Sequence, residues 1–263
     1  MPPMDSEKLF ILGHRGFRGE LENTIPAFRR ALRYADGVEF DVRMTADGKL
    51  VVHHDEGFRS GGRTYRLRNL TLAELRRLHP LGKMIPTVDG VVRSFPSAVF
   101  DVDVKEAETS EGVVRTLERA GAVERAIFSA DSPEIILSLL RECPDCRVGF
   151  SIVGYSSIPW IPRLKGLHSL HVPIDAVSYI GYNAVVSLMR VLRKRGLRIY
   201  LWNYEMDELS WVPRFLPFVD AVISDDPARL RKVFYGEREG HYGDLHGRQD
   251  LGARSQGVLS QIP

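Results

Sequence analysis

Cysteine is scarce: Cys143 and Cys146, as C-P-D-C, are the only two in 263 residues. One CxxC supplies half of a four-ligand zinc site, so a zinc module is excluded without two further ligands nearby. The pair reads as packed helix-end cysteines, with a stabilising or redox disulfide as the alternative. Charge of one sign is lacking as well. Lys+Arg 36 against Asp+Glu 34 leaves +2, which argues against bulk nucleic-acid binding. No apolar run approaches the roughly 18–20 residues of a membrane span. The opening MPPMDSEK has no signal-peptide apolar stretch, so a cytoplasmic location is expected. Nor does any G-x-G-x-x-G follow a strand-like run, which removes the main signature of a dinucleotide-binding open sheet.

What is present is regular alternation. Strand-like runs fall near 9–12, 38–42, 98–104, 125–129, 147–152, 169–172, 198–202 and 219–223. Helix-like segments fall near 24–35, 71–79, 110–120, 133–141, 183–195, 205–210 and 227–234. Eight strands separated mostly by helices over this length indicate an α/β fold, a (β/α)8 TIM barrel. The 44% hydrophobic content is ample for its core. The barrel is assigned to 1–235. The glycine-rich remainder, 236–263, reads as a flexible C-terminal tail. The segment 153–168 reads as loop with a short helix.

One extra run, Leu50–His53, follows VEFDV after a link containing Asp47-Gly48. Asp-Gly is a hairpin turn, and the link is too short for a parallel crossover. LVVHH therefore folds back beside the second strand as a small hairpin insertion. It carries His53 or His54 towards the C-terminal face, where barrels place their chemistry.

The second strand should be buried, yet it carries two acids. Side chains alternate along a strand, so Glu39 and Asp41 share a face. The third repeats this, with Asp101, Asp103 and Lys105 on one face. Buried carboxylates need cations or a metal. Two adjacent acidic strands favour one hard divalent ion over a salt-bridge network with Lys105 and the arginines. His14 and His54 each stand where a strand or hairpin ends at the mouth, and two histidines can divide acid and base roles. His79, His168 and His171 read as packed or surface residues. Arg15 offers a fork for two phosphate oxygens and Lys105 a compact cation.

These residues fall in an order that resembles the glycerophosphodiester phosphodiesterase family of the phosphatidylinositol-phospholipase-C-like barrel superfamily. The match runs from about Leu9 to Pro227. It rests on His14-Arg15-Gly16, Glu22-Asn23-Thr24 with Ala27-Phe28, Glu39-Phe40-Asp41-Val42, Thr45-Ala46-Asp47-Gly48, Val51-Val52-His53-His54-Asp55, Asp103-Val104-Lys105 and Ser224-Asp225-Asp226-Pro227. The resemblance implies one divalent metal ion (Mg2+, Ca2+ or Mn2+) on Glu39, Asp41 and Asp103. It implies His14 and His54 as the acid/base pair, and selects His54 over His53. Arg15, Lys105 and Trp202 would meet the substrate, with Glu22 and Asn23 supporting them. Asn23 or Thr24 would cap the helix whose first turn contains Pro26. Asp103 stands where many members have Glu, and L-W-N-Y-E (201–205) where many have W-T-V-N.

The implied reaction is metal-dependent hydrolysis of a small-molecule glycerophosphodiester to glycerol phosphate and an alcohol. The alternative is a lysophospholipase D or sphingomyelinase D-like activity, with Phe17, Trp160, Tyr182 and Trp202 as an apolar entrance or as ordinary rim and core aromatics. More distant is a non-catalytic barrel that binds a phosphate ligand. Oligomeric state is unknown from sequence. Gly13 and Gly16 are expected to keep the backbone slim for substrate.

Overall fold

The computed structural model describes residues 9–236. The tail expected over 236–263 lies outside the described residues except for Gly236. Among the described residues eleven strands form: β1 (Phe10–Gly13), β2 (Gly37–Met44), β3 (Leu50–Val52), β4 (Gly57–Ser60), β5 (Arg63–Arg66), β6 (Val99–Val104), β7 (Ala126–Ala130), β8 (Val148–Ser151), β9 (Ser169–Pro173), β10 (Arg198–Trp202) and β11 (Ala221–Ser224). The helices are α1 (Ile25–Ala31), α2 (Leu72–Leu78), α3 (Val88–Ser94), α4 (Ser110–Arg119), α5 (Pro133–Glu142), α6 (Ala176–Ile180), α7 (Tyr182–Lys194), α8 (Glu208–Phe215) and α9 (Pro227–Tyr235).

Eight strands run parallel in the order β1-β2-β6-β7-β8-β9-β10-β11, and β11 pairs back with β1 to close a (β/α)8 barrel. Alternation sorts each strand's side chains into two populations. Phe10, Leu12, Val99, Ile127, Tyr200, Ala221 and Ile223 cluster as the barrel interior. Val38, Phe40, Phe100, Val102 and Phe128 belong to the larger core shared with the helices.

The expected hairpin forms. β3 lies antiparallel on β2, with Val42 opposite Val52 and Met44 opposite Leu50. The insertion is larger than a hairpin, because β4 and β5 make a second antiparallel pair. Val51, Phe58, Leu67, Leu75 and Ile85 give it a satellite core. The helix expected over 205–210 starts later. Asp175 accepts the backbone N–H groups of Tyr204, Glu205 and Met206 and holds them as a turn, and Asp207 caps α8 by accepting from Ser210.

The cysteine reading is corrected: Cys143 and Cys146 are disulfide-bonded where α5 turns towards β8. The reading of Gly13 and Gly16 is corrected too. A side chain on Gly13 would come within 2.8 Å of the Ala31 side chain, and Gly16 sits at φ +79° against the backbone of Ala27. Both let the turn after β1 press onto α1, so helix packing and not substrate approach requires them.

Candidate active site

β1 delivers His14 and Arg15 to the mouth. Arg15 is at φ +50° and Asn23 at φ +59°, both unusual for residues with side chains. The strain is held by hydrogen bonds across the loop: Asn23 N–H donates to the Arg15 carbonyl at 2.9 Å, and Arg15 N–H to Glu39 Oε2 at 2.8 Å. Thr24, not Asn23, caps α1 by accepting from Ala27 N–H. Asn23 instead turns its Nδ2 onto Asp41 Oδ2 at 2.8 Å.

Across the β2–β6 ladder, Glu39 faces Asp101 and Asp41 faces Asp103. Four carboxylates therefore stand as two cross-strand pairs, a repulsive arrangement without compensation. Asp41 receives the compensation. Lys105 Nζ is 2.9 Å from its Oδ1, Arg15 Nε is 3.2 Å from its Oδ2, and these cations overcome burial to hold it well below the usual carboxylate range. Glu39 is pushed far up by burial and by Asp41 and Asp103. Asp103 is raised by burial, although Lys105 draws it back. One ligand oxygen from each of Glu39, Asp41 and Asp103 can lie within 4.8 Å of the others. Asp103 Oδ1 is buried with no hydrogen-bond partner. An oxygen-only donor set with an orphaned carboxylate oxygen fits a hard divalent cation.

Each mouth histidine is oriented by an acid. His14 Nδ1 lies 2.5 Å from Asp225 Oδ1, and His54 Nδ1 lies 2.7 Å from Asp55 Oδ1. A carboxylate at Nδ1 fixes the proton there and leaves Nε2 for chemistry. His14 Nε2 is 3.9 Å from Glu39. His53 points away, towards His79 at 3.2 Å. Asp225 also takes Arg18 at 2.9 Å. These two partners outweigh its burial and keep its pKa low.

A cavity of about 430 Å³ collects His14, Arg15, Glu39, Asp41, His54, Asp103, Lys105 and Trp202, bringing eight of the ten expected site residues together. Glu22 and Asn23 stand behind them. Glu22 bonds Arg15 Nη1 at 2.7 Å, while Asn23 holds Asp41. Phe17 and Tyr182 do not border the cavity. Phe17 packs edge-on to Tyr34, and Tyr182 packs on Phe215.

Sequence reasoning missed three contributors. Asp225 and Asp55 lay inside quoted motifs, and a carboxylate directly after a barrel strand or beside a mouth histidine was the available signal. Glu208 had none. Its carboxylate accepts from Ser224 Oγ at 2.7 Å and from Asp225 N–H at 3.2 Å, bracing the turn that carries Asp225. His171, read as packed or surface, is buried inside the barrel and reaches the cavity floor.

A closed parallel barrel with acids, two cations and two acid-oriented histidines at its C-terminal mouth defines a hydrolase of phosphoric diesters. The chain belongs to the glycerophosphoryl diester phosphodiesterase family, whose model matches residues 14–229. The glycerophosphodiester phosphodiesterase of Caldanaerobacter subterraneus subsp. tengcongensis is 27% identical over 243 residues, covering 85% of this chain and 96% of the relative. Human lysophospholipase D GDPD1 is 25% identical over 274 residues, covering 85% of each. The crystal structure of a glycerophosphodiester phosphodiesterase from Thermotoga maritima superposes with a TM-score of 0.71 at 28% identity, covering 86% of this chain and 98% of that one. No helix among the described residues is long and apolar enough to cross a membrane.

Proposed function

We propose that the chain hydrolyses glycerophosphodiesters to a glycerol phosphate and a free alcohol, with His14 and His54 as the acid/base pair. The observation that carries this reading is the matched pair of histidines. Both have Nδ1 on a carboxylate, and both line one cavity with Arg15, Lys105 and the Glu39, Asp41 and Asp103 cluster.

Glu39, Asp41 and Asp103 would hold one divalent ion (Mg2+, Ca2+ or Mn2+), which when bound neutralises the acids and polarises a phosphoryl oxygen as a Lewis acid. Arg15, steadied through Nη1 by Glu22, offers its remaining donors to phosphate, and Lys105 offers a second positive charge. Trp202 flanks the substrate. One histidine takes a proton at Nε2 from the attacking hydroxyl, which belongs to water or to the glycerol C2 carbon; attack from C2 gives a five-membered cyclic phosphate, which a water then opens to the glycerol phosphate by the same kind of proton transfer. The other, protonated on Nε2, gives its proton to the departing alkoxide. The acids at Nδ1 stabilise each imidazolium in turn.

The test is glycerol phosphate release from glycerophosphocholine with Mg2+, Mn2+ or Ca2+ and in excess EDTA. Turnover should vanish in EDTA, and His14→Ala or Glu39→Ala should each lower kcat by about 10³-fold. Full turnover after metal stripping would overturn the reading.

A further inference from the structure

Among the described residues, six carboxylates line the active-site cavity, and five of them are committed. Glu39, Asp41 and Asp103 form the cation cluster, Asp55 holds His54, and Asp101 accepts from Ser129. Asp131, directly after β7, is the sixth. Among the described residues nothing hydrogen-bonds or ion-pairs with its exposed carboxylate. Its charge is nevertheless felt inside the cavity. It adds to the burial that raises Asp103, and after burial it is the main influence raising the Tyr204 phenol. An uncompensated carboxylate beside a seat for an anionic phosphate repels a substrate that carries no positive charge. It attracts one that does.

The strand order places β7 to β10 on the arc of the mouth that faces β1 and its His14. At the β10 end of that arc Trp202 and Tyr204 line the cavity with ring centroids 4.2 Å apart and planes tilted by 59°. Tyr204 is 43% exposed and keeps a ring face open to the cavity rim. Asn203 lies between them. Its Nδ2 donates to Asp225 Oδ2 at 3.3 Å, which fixes the amide orientation and leaves Oδ1 as a buried acceptor without a partner. Asn203 and Tyr204 belong to the stretch in which this chain departs from W-T-V-N. The cations nearby are taken: Lys105 by Asp41 and Asp103, Arg18 by Asp225 and the Tyr204 carbonyl. The arc therefore offers a full negative charge, aromatic faces and a neutral acceptor. These are the groups that hold an ammonium ion, through charge and through cation–π attraction.

The glycerol end of a glycerophosphodiester is uncharged, and its phosphate belongs to Arg15, Lys105 and the acid cluster. Only the alcohol end can carry a positive charge. We propose that Asp131, with Trp202 and Tyr204, is the specificity-determining element for the departing alcohol: it seats an ammonium group and selects cationic amino alcohols over neutral alcohols of the same shape. The proposal rests on the hydrolase reading above and deepens it, leaving the chemistry at phosphorus unchanged. The ammonium stays on the alcohol as the ester bond breaks, so the contact lasts from binding through the transition state and acts on kcat/KM, chiefly through KM. An exposed charge pair and a cation–π contact together amount to a preference of about tenfold.

The experiment measures kcat/KM for glycerophosphocholine and for its uncharged isostere, in which 3,3-dimethylbutanol replaces choline. The full chain and Asp131→Asn are compared at saturating divalent metal. The unaltered chain should prefer the choline ester about tenfold, and the preference should shrink as salt screens the charge. In Asp131→Asn it should fall below about threefold, with the loss on the choline ester. The readout is a ratio between two substrates, so any effect of the variant on metal binding or folding cancels. Equal kcat/KM for the two esters in the unaltered chain overturns the proposal, and so does a preference that survives in Asp131→Asn. If neither ester is cleaved, the hydrolase reading fails, and calorimetric binding of the same two esters still decides the subsite. A charge preference that the variant loses supports it; equal binding, or a preference that the variant keeps, overturns it.

Discussion

At the scale of single residues, the site depends on which imidazole nitrogen carries the proton. Asp225 sets that choice for His14, and Glu208 sets Asp225. Asp225→Asn keeps the shape but offers an amide N–H to Nδ1, which moves the neutral imidazole's proton to Nε2 and removes the charge that stabilises the imidazolium, so that His14 is impaired as base or as acid. Turnover should fall by about 10²–10⁴-fold, as expected when a base is held in the wrong tautomer. KM should change little, because Arg15 and Lys105 remain. Steady-state kinetics on glycerophosphocholine with unaltered protein as control checks this, and a drop under threefold would remove Asp225 from the mechanism. The clustering of the strand acids was legible in the sequence because alternation alone places Glu39 with Asp41 and Asp101 with Asp103, and His14 was legible as the residue directly after the first strand. Cross-strand register was not legible. It pairs Asp41 with Asp103 and puts Lys105 between them, which makes one acid strongly ionised and leaves Glu39 and Asp103 raised.

At the scale of elements, the insertion after β2 does more than place a histidine. Leu81 N–H donates to His79 Nδ1 at 3.0 Å, so the neutral His79 carries its proton on Nε2. That proton faces His53 Nε2 at 3.2 Å, and His53 Nδ1 donates to the Asp55 carbonyl at 2.8 Å. Two neutral rings thus connect the turn after α2 to the segment that carries His54 and Asp55. Burial pushes His53 down, and burial with His53 opposite pushes His79 down to about 4. His79→Ala should lower kcat about tenfold through misplacement of His54, and His79→Gln, which can still accept and donate, should restore most of it. The linkage has a definite sign. Between about pH 4 and 6.5 the unfolded chain protonates His79 while the folded chain refuses, so its contribution is present above 6.5 and is lost as pH falls towards 4. Urea unfolding across that window should show a shallower slope in His79→Gln, and parallel slopes would contradict the pairing. Asp-Gly made the hairpin legible, but the second hairpin and its satellite core rest on contacts distant in sequence, such as Phe58 against His79 at 4.5 Å.

At the scale of the whole molecule, closure of the barrel brings strands from opposite ends of the chain together, and the eight strands were legible because each is a short apolar run between helical periods. What closure encloses was harder to read. Beneath the mouth the barrel holds a polar layer with Asp101, Ser129, His171 and Tyr200, in which Ser129 Oγ donates to Asp101 Oδ1 at 2.6 Å and Asp101 Oδ2 has no hydrogen bond, with His171 Nδ1 3.6 Å from it. Burial, opposed by the Ser129 hydrogen bond, pushes Asp101 up to about 8. The same enclosure pushes His171 down to about 3. Between an unfolded value near 3.9 and that folded value, the native chain keeps a proton on Asp101 that the unfolded chain has released. Its contribution to stability therefore falls as pH rises from about 4 to about 8, by an amount on the order of several kcal/mol. Asn reproduces the protonated acid in shape and in its acceptor for Ser129, without a charge to bury. In EDTA, so that no cation offsets the acids, Asp101→Asn should be more stable than the unaltered chain at pH 8.5 and should gain little at pH 5. Urea unfolding midpoints at the two pH values measure this, and a gain that is equal at both would mean that Asp101 is ionised throughout the folded state.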